Sequence, residues 1–129
     1  MLEPAIKDLA TAKNFGTLSF RLPSGQIASH VMWVDATDEH LLINTEIGRA
    51  KYKAISADPQ VTVTVWNADN AYEYGEVRGT VVGEVGGQEA RDHIDALSQR
   101  YFGHDYAAPI GTERVILKIQ PDRQRSTGT

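Results

Sequence analysis

Arg49, Lys51 and Lys53 fall within five positions with no acid among them, in a chain whose formal net charge is −4. A local reversal of sign this sharp can hold an anion. The three residues lie inside the stretch Leu41 to Trp66, LLINTEIGRAKYKAISADPQVTVTVW, which reads as strand, basic turn, short helix, Asp-Pro stop and strand. If Gly48 ends the first strand and a helix starts near Arg49, the first-turn amides have no intrahelical acceptor. With the helix dipole they favour a phosphate or carboxylate. Arg49 would add a planar fork suited to phosphate, and the lysines mobile point charges. The same spacing also describes an ordinary solvated helix face, and spacing alone leaves both readings open.

A second group of residues could hold the rest of such a ligand. Trp33, Trp66, Tyr72 and Tyr74 all fall in or beside expected strands. Residues of this kind serve as core or cross-strand pairs; alternatively they form a flat apolar slot for a ring system. Apolar lining with a few polar anchors is the composition of a cofactor pocket. Together, slot and basic turn point to a phosphorylated, ring-bearing ligand. Other constellations are weaker. His30, His40, His93 and His104 show no metal-ligand spacing, and Glu89 with His93 lacks a visible third ligand. Ser29 and His30 are adjacent on a strand and face opposite sides, so they cannot pair as nucleophile and base. Gly83, Gly86 and Gly87 do not make a dinucleotide fingerprint, and there is no phosphate-binding P-loop. Asp92 and Asp95 read as polar-face residues of a helix.

The elements that must position these residues follow from periodicity. Leu2 to Lys13 carries Leu2, Ala5, Ile6, Leu9 and Ala10 at helical spacing, with Pro4 tolerable in the first turn. Phe15 to Phe20 and Ile27 to Val34 are strands joined by the turn Leu22-Pro23-Ser24-Gly25. The polar turn Ala36 to His40 leads into the central stretch, so three antiparallel strands in a meander are expected. Val61 to Trp66 alternates with period two. Tyr72 to Val85 is long for one strand, with a bulge expected at Gly79. Gln88 to Phe102 is a helix whose buried stripe is Ala90, Ile94, Leu97 and Tyr101. Gly103 to Thr112 is a loop, and Glu113 to Ile119 is a last strand with Val115, Leu117 and Ile119 on one side. The polar tail, Gln120 to Thr129, is expected to be loose at its end. With no strand–helix–strand alternation, the expectation is one mainly-β domain, a six-stranded antiparallel barrel with flanking helices.

Composition narrows the function classes. The chain has 129 residues, enough to bury roughly two-thirds of its unfolded surface in one domain. No apolar run approaches ~18 residues, so no membrane-spanning helix is expected. The N-terminus shows no basic-then-apolar leader, which makes the cytoplasm the default address. Zero cysteines exclude disulfides, thiolate metal sites and cysteine nucleophiles. The acidic balance argues against nucleic acid, which needs a broad basic face.

Asn44-Thr45-Glu46, Gly48-Arg49-Ala50-Lys51, Asp58-Pro59 and the strand to Trp66, in that order and spacing, resemble the pyridoxamine phosphate oxidase-like superfamily of split β-barrel flavin and deazaflavin oxidoreductases. The resemblance runs from Phe15-Gly16-Thr17-Leu18 to Arg114-Val115-Ile116-Leu117. The Arg-Ala-Lys-x-Lys form is similar to the mycobacterial and actinobacterial branch that uses coenzyme F420. FMN oxidases of the family carry an Arg and a Lys on the second strand, where this chain has Ser29-His30-Val31-Met32-Trp33-Val34. They also carry Ser-Arg-Lys where this chain has Arg49-Ala50-Lys51. Both departures favour the deazaflavin over FMN. The C-terminus is also shorter than in pyridoxamine phosphate oxidases, whose substrate residues lie there.

What the resemblance implies is a homodimer with a cofactor groove at each subunit interface. Arg49, Lys51 and Lys53 would hold the cofactor phosphate or its acidic tail. Thr45 and Ser29, His30, Val31 and Met32 would line the deazaflavin, and Tyr72 or Tyr74 would reach in from the partner. The implied activity is an F420H2-dependent reductase acting on an electron-poor small organic acceptor. An FMN-dependent oxidase or reductase is the alternative within the same fold. A deazaflavin or tetrapyrrole carrier without catalysis is the third reading.

Overall fold

The computed structural model describes residues 1–128. Seven antiparallel strands form one strongly curled sheet: β1 (Phe15–Arg21), β2 (Ile27–Trp33), β3 (Asp35–Ala36), β4 (Leu41–Glu46), β5 (Gln60–Asn67), β6 (Asn70–Val85) and β7 (Arg114–Thr127). Three helices flank it: α1 (Pro4–Thr11), α2 (Ala50–Ala57) and α3 (Gly87–Phe102). The strand order is β2-β1-β5-β6-β7-β4-β3. The two outermost strands, β2 and β3, are separated in the chain only by Val34. One extended segment therefore pairs with β1 along its first half and with β4 at its end, which curls the sheet into a split barrel.

This corrects the expected meander. The β1–β2 hairpin forms as read, but only Asp35 and Ala36 reach β4, opposite Leu42 and Leu41. The main partner of β4 is β7, from Leu41 opposite Ile119 to Glu46 opposite Arg114. Counting the two-residue β3 makes seven strands where six were expected. The tail is also corrected. Gln120 to Thr127 is strand, paired with the first half of β6 from Gly79 opposite Pro121 to Tyr74 opposite Thr127. Its alternation is hidden because it has no apolar face; backbone pairing holds it, and the Gln124 side chain bonds the Glu3 N–H and the Met1 carbonyl. Thr129 lies outside the described residues.

Gly79 marks the expected bulge, with a register shift between Arg78 and Gly79. A Cβ there would stand 2.4 Å from the Gln120 carbonyl oxygen, so only glycine permits the close approach. Pro121, which cannot donate to a ladder, is tolerated at this interruption. The barrel interior is filled by Leu18, Phe20, Val34, Leu41, Ile43, Val61, Val63, Val65, Val77, Val115, Leu117 and Ile119, and α1 closes it with Leu2, Ile6, Leu9 and Ala10. Helix α3 buries the stripe Ala90, Ile94, Leu97 and Tyr101 as the sequence spacing predicts, with Ser98 added. Its first part packs on Leu42 and Ile116, and its second part on Trp33 and Tyr106. No helix among the described residues is long and apolar enough to cross a membrane.

Candidate functional site

Helix α2 is short, and its burial has a simple pattern. Ala54 and Ile55 face the core, and Lys51, one turn earlier on the same stripe, is buried with them. Lys53 is about 200° around the helix from Lys51 and is exposed. Residues two apart on a helix cannot share a face, so the basic triplet splits: Lys51 turns inward, Lys53 outward, and Arg49 stands at the N-cap. No side chain caps the helix. The first amide to find a carbonyl inside it is that of Lys53, bonded to Arg49 at 3.3 Å. The amides of the preceding turn are thus available beside Lys51.

The Lys51 ammonium has no hydrogen bond or ion pair among the described residues, although the residue is only 9% exposed. Burial, and the nearby charges of Arg49 and Arg114, push its ammonium from the ordinary 10.5 down to about 8. The ammonium thus stands beside two guanidiniums with no partner of its own among the described residues, a charge that a bound anion would relieve.

Arg49 and Arg114 are fixed by Glu46, the last residue of β4. One Glu46 oxygen accepts from the backbone N–H of Thr112 at 2.8 Å, that of Gly111 at 2.9 Å and the Thr112 hydroxyl at 3.2 Å. The other faces Arg49 at 3.2 Å and Arg114 at 3.5 Å. The Thr112 bonds and the Arg49 charge outweigh burial and hold the carboxyl below its ordinary value. Gly48 allows this approach, since a Cβ there would lie 2.6 Å from the Thr112 side chain. At the other end of the same loop, Asp95 accepts from the Tyr106 N–H at 3.0 Å and from Arg91 at 2.6 Å. The loop from 103 to 112 is therefore pinned at both ends, and Tyr106 lies under the Arg114 guanidinium, 5.3 Å from ring centre to Cζ.

These groups converge on a cavity of about 310 Å³ lined by Arg49, Lys51, Arg114 and Asn44 on its polar side. Phe15, Val31, Met32, Trp33, Ile94, Leu97 and Tyr106 form the apolar side. Trp33 is set by stacking on Tyr101, with centroids 5.0 Å apart and planes 4° from parallel. The Tyr101 hydroxyl is anchored in turn on the Asn14 carbonyl. A rigid aromatic floor faces a net positive wall, the arrangement a planar ring with an anionic substituent would fill. A larger groove of about 350 Å³ between Arg21, Arg78 and Arg123 is a surface trough with Asp58 and Asp122 on its rim, and lacks such a floor.

Of the residues singled out from the sequence, Arg49, Lys51, Val31 and Met32 line the cavity. Lys53 does not. Thr45 is fully buried on the barrel-facing side of β4 with Leu41 and Ile43, its hydroxyl unpartnered among the described residues. Ser29 bonds Ser19 through their hydroxyls at 2.7 Å, and His30 meets the Phe20 ring edge-on at 5.2 Å. Their opposite facings agree with strand alternation. Tyr72 is 81% exposed, and Tyr74 sits across from Trp66; neither touches this chain's own cavity. Of the two tryptophans, only Trp33 reaches it. The sequence reading missed Asn44, Glu46, Trp33's stacking partner Tyr101, Tyr106 and Arg114. Asn44, Glu46 and Arg114 lie within the stretches that carried the family resemblance, but nothing local marks their side chains as converging. No group of three or more metal-ligating side chains occurs among the described residues.

Fold and cavity together define a split antiparallel barrel with a cavity of one cationic and one apolar wall against its second strand. The chain belongs to the pyridoxamine 5'-phosphate oxidase family, an oxidoreductase family, whose model matches residues 2–128. Among solved structures it is similar to an F420 reductase, with 29% identity, a TM-score of 0.76, and 97% of this chain and 98% of that one covered. It is also similar to the conserved hypothetical protein Rv2991 from Mycobacterium tuberculosis, with 25% identity, a TM-score of 0.71, and 98% and 84% covered. A FAD-binding protein from Mesorhizobium loti shares the fold at 16% identity, with a TM-score of 0.64 and 96% and 92% covered. No curated protein sequence matches the chain.

Proposed function

We propose that the cavity binds coenzyme F420 and that the protein is an F420H2-dependent reductase of electron-poor small organic acceptors. The observation that carries this reading is Lys51, buried and unpartnered at the first turn of α2, facing an apolar floor across the cavity. The residues fit the cofactor in kind: Lys51, Arg49 and the free α2 amides would hold its phosphate, while Trp33, Phe15, Val31 and Met32 would lie against the ring. Similarity to an F420 reductase over nearly the whole chain supports the same choice. So does β2, which offers no Arg–Lys pair for an FMN phosphate.

The reduced deazaflavin, when bound, supplies a hydride. The protein's own contribution is to orient the ring, exclude water and hold the anionic tail in place. No side chain need supply a proton, since the acceptor can take one from solvent.

The site is completed, in this reading, by a second copy of the chain. Ile27 and Val31 project from the same face of β2 and are 68% and 65% exposed, and Phe15, at the Val31 end of the β1–β2 hairpin, is 37% exposed. Val31 and Phe15 also belong to the cavity floor, whereas Ser29, bonded to Ser19, separates them from Ile27; covering the Val31 end of this apolar strip also closes the cavity. Tyr72 or Tyr74 of the partner would then enter the groove. The test is a titration of purified protein with F420 and, separately, FMN, followed by Trp33 fluorescence. Tight F420 and weak FMN binding is the expected result. Preference for FMN would move the protein to flavin chemistry, and binding of neither would overturn the reading. F420 binding without turnover across a broad acceptor panel would make it a carrier.

A further inference from the structure

A row of polar side chains that the proposed function does not use runs back from the cavity wall, where Arg114 and Asn44 stand, toward Asp35. Asp35 of β3, His93 of α3, Asn44 of β4 and Arg114 of β7 follow one another at hydrogen-bond distance: Asp35 to His93 Nε2 at 2.9 Å, His93 Nδ1 to Asn44 Nδ2 at 3.0 Å, and Asn44 Oδ1 to Arg114 Nε at 2.8 Å. Asn44 Nδ2 also meets the Ala90 carbonyl at 2.9 Å. Two of the groups that face Asn44 have no choice of role. Arg114 Nε–H can only donate, so the Asn44 atom facing it is the oxygen. The Ala90 carbonyl can only accept, so the atom facing it is the amide nitrogen.

That orientation of Asn44 dictates the state of His93. An amide N–H points at Nδ1, so Nδ1 accepts and the ring proton sits on Nε2, where it donates to Asp35. Asp35 is itself held by Arg100, which bonds its other oxygen at 2.9 Å and the Val34 carbonyl at 2.9 Å. Every bond therefore runs in one sense, from Arg114 through Asn44 and His93 to the carboxylate, and each link polarises the next. Moving the ring proton to Nδ1 would set two donors face to face. Turning the Asn44 amide to relieve that clash would set its nitrogen against Arg114 and its oxygen against Ala90.

We propose that Asp35, His93 and Asn44 are positioning residues that fix the Arg114 guanidinium as a second anion contact of the cavity, distinct from the basic turn. Arg114 has five N–H donors. One goes to Asn44 Oδ1, one to the Asn44 carbonyl at 3.2 Å and one to Glu46 at 3.5 Å. Two have no partner among the described residues, and Arg114 lines the cavity, so a ligand there could take them. Such a contact suits a carboxylate or a phosphate oxygen, and it is separate in sequence from Lys51. The ligand part of this inference rests on the cofactor reading; the bond chain does not.

The experiment is accordingly split. Nitrogen-15 NMR of the ligand-free protein at neutral pH should show His93 as the Nε2–H tautomer and a slowly exchanging Arg114 Nε–H. The Nδ1–H tautomer or an imidazolium would overturn the chain, and this readout needs no variant to fold. With F420 as probe, His93→Phe should weaken binding about 3- to 10-fold and Arg114→Lys by a similar factor. The double variant should be no worse than either, because both break the same contact. Losses that multiply would show His93 to be merely structural and overturn the positioning role. Failure of the wild type to bind F420 or FMN would sink the cofactor reading, and with it Arg114 as its contact, while the NMR result would still judge the chain.

Discussion

Along β4, α2 and β7 the cavity wall is finished within the chain: Asn44, Glu46 and Arg114 all have partners, and Lys51, the wall's cation with no partner among the described residues, faces the cavity. Along β2 the wall is unfinished, ending in Val31 turned to solvent. The contrast follows from what each wall must do. Charged groups bind an anion well only when their geometry is set in advance, because reorganising buried dipoles during binding would consume the affinity gained. Apolar contact is non-directional, so it can be supplied late, by a ring or by another subunit.

The largest test of the polar wall is Glu46→Ala. It strips the acceptor from the Gly111 and Thr112 amides and the counter-charge from buried Arg114. A loss of about 2–4 kcal/mol in unfolding free energy is expected by urea titration. Because hydrogen bonds from Thr112 hold the Glu46 carboxyl below its ordinary value, its contribution is complete above the unfolded carboxyl's range and disappears as pH falls through the folded one. A loss below about 1 kcal/mol in the variant would mean that the loop is held by its Asp95 end alone, and that the wall is less preorganised than the bond pattern implies.

Lys51→Met separates binding from stability within that wall. Anion affinity should fall roughly 10- to 100-fold, the loss of one buried charge-assisted contact. The ligand-free protein should meanwhile become more stable, since a part-buried ammonium crowded by Arg49 and Arg114 has been removed, with solvent screening keeping the gain near about 1 kcal/mol. The pH dependence has a definite sign. Folded Lys51 titrates at about 8 and the unfolded side chain at 10.5, so between these values the unfolded state binds more protons and stability rises with pH. Affinity moves the other way, falling above about pH 8 as the ammonium is lost, and Lys51→Met should flatten both profiles. An unchanged slope in the variant would remove Lys51 from the anion site.

The open wall is tested by Val31→Asp. If a second copy covers β2, sedimentation should show a dimer for the wild type and a markedly weakened one for the variant, with thermal stability of the fold little changed. A wild type that stays monomeric at tens of micromolar would leave the apolar strip without that partner.

How far these walls could be read from the sequence differs in the same way. The amphipathic stripe of α3, the β1–β2 hairpin and the Gly79 bulge are local patterns, and all three form. The pairing of β4 with β7 is not local: Glu46 meets Arg114 across 68 positions. Nothing in either segment names the other. Asn44, Glu46 and Arg114 are polar residues on the outer face of their strands, the one that carries Leu42 and Ile116 against α3, where alternation alone predicts solvent and assigns them no partner. The tail escaped notice for the opposite reason, because a strand held by its backbone and fringed with polar side chains leaves no hydrophobic signature. Arg49 and Lys51 were legible as a local charge reversal, and only helix geometry separates them from Lys53.

Lys53→Ala is the smallest expected effect and bears on that separation. The side chain is exposed and on the far side of α2 from Lys51, so solvent and salt screen its charge from the cavity. F420 affinity should change less than about twofold at physiological ionic strength, and any residual effect should vanish as salt rises. A loss equal to that of Lys51→Met would require Lys53 to touch the ligand directly. Since its own cavity is out of reach, that contact would have to come across the dimer or from an acidic tail wrapped around the helix. Repeating the titration with F420 of shorter tail separates the two: a tail contact weakens as the tail shortens, whereas a contact across the dimer does not.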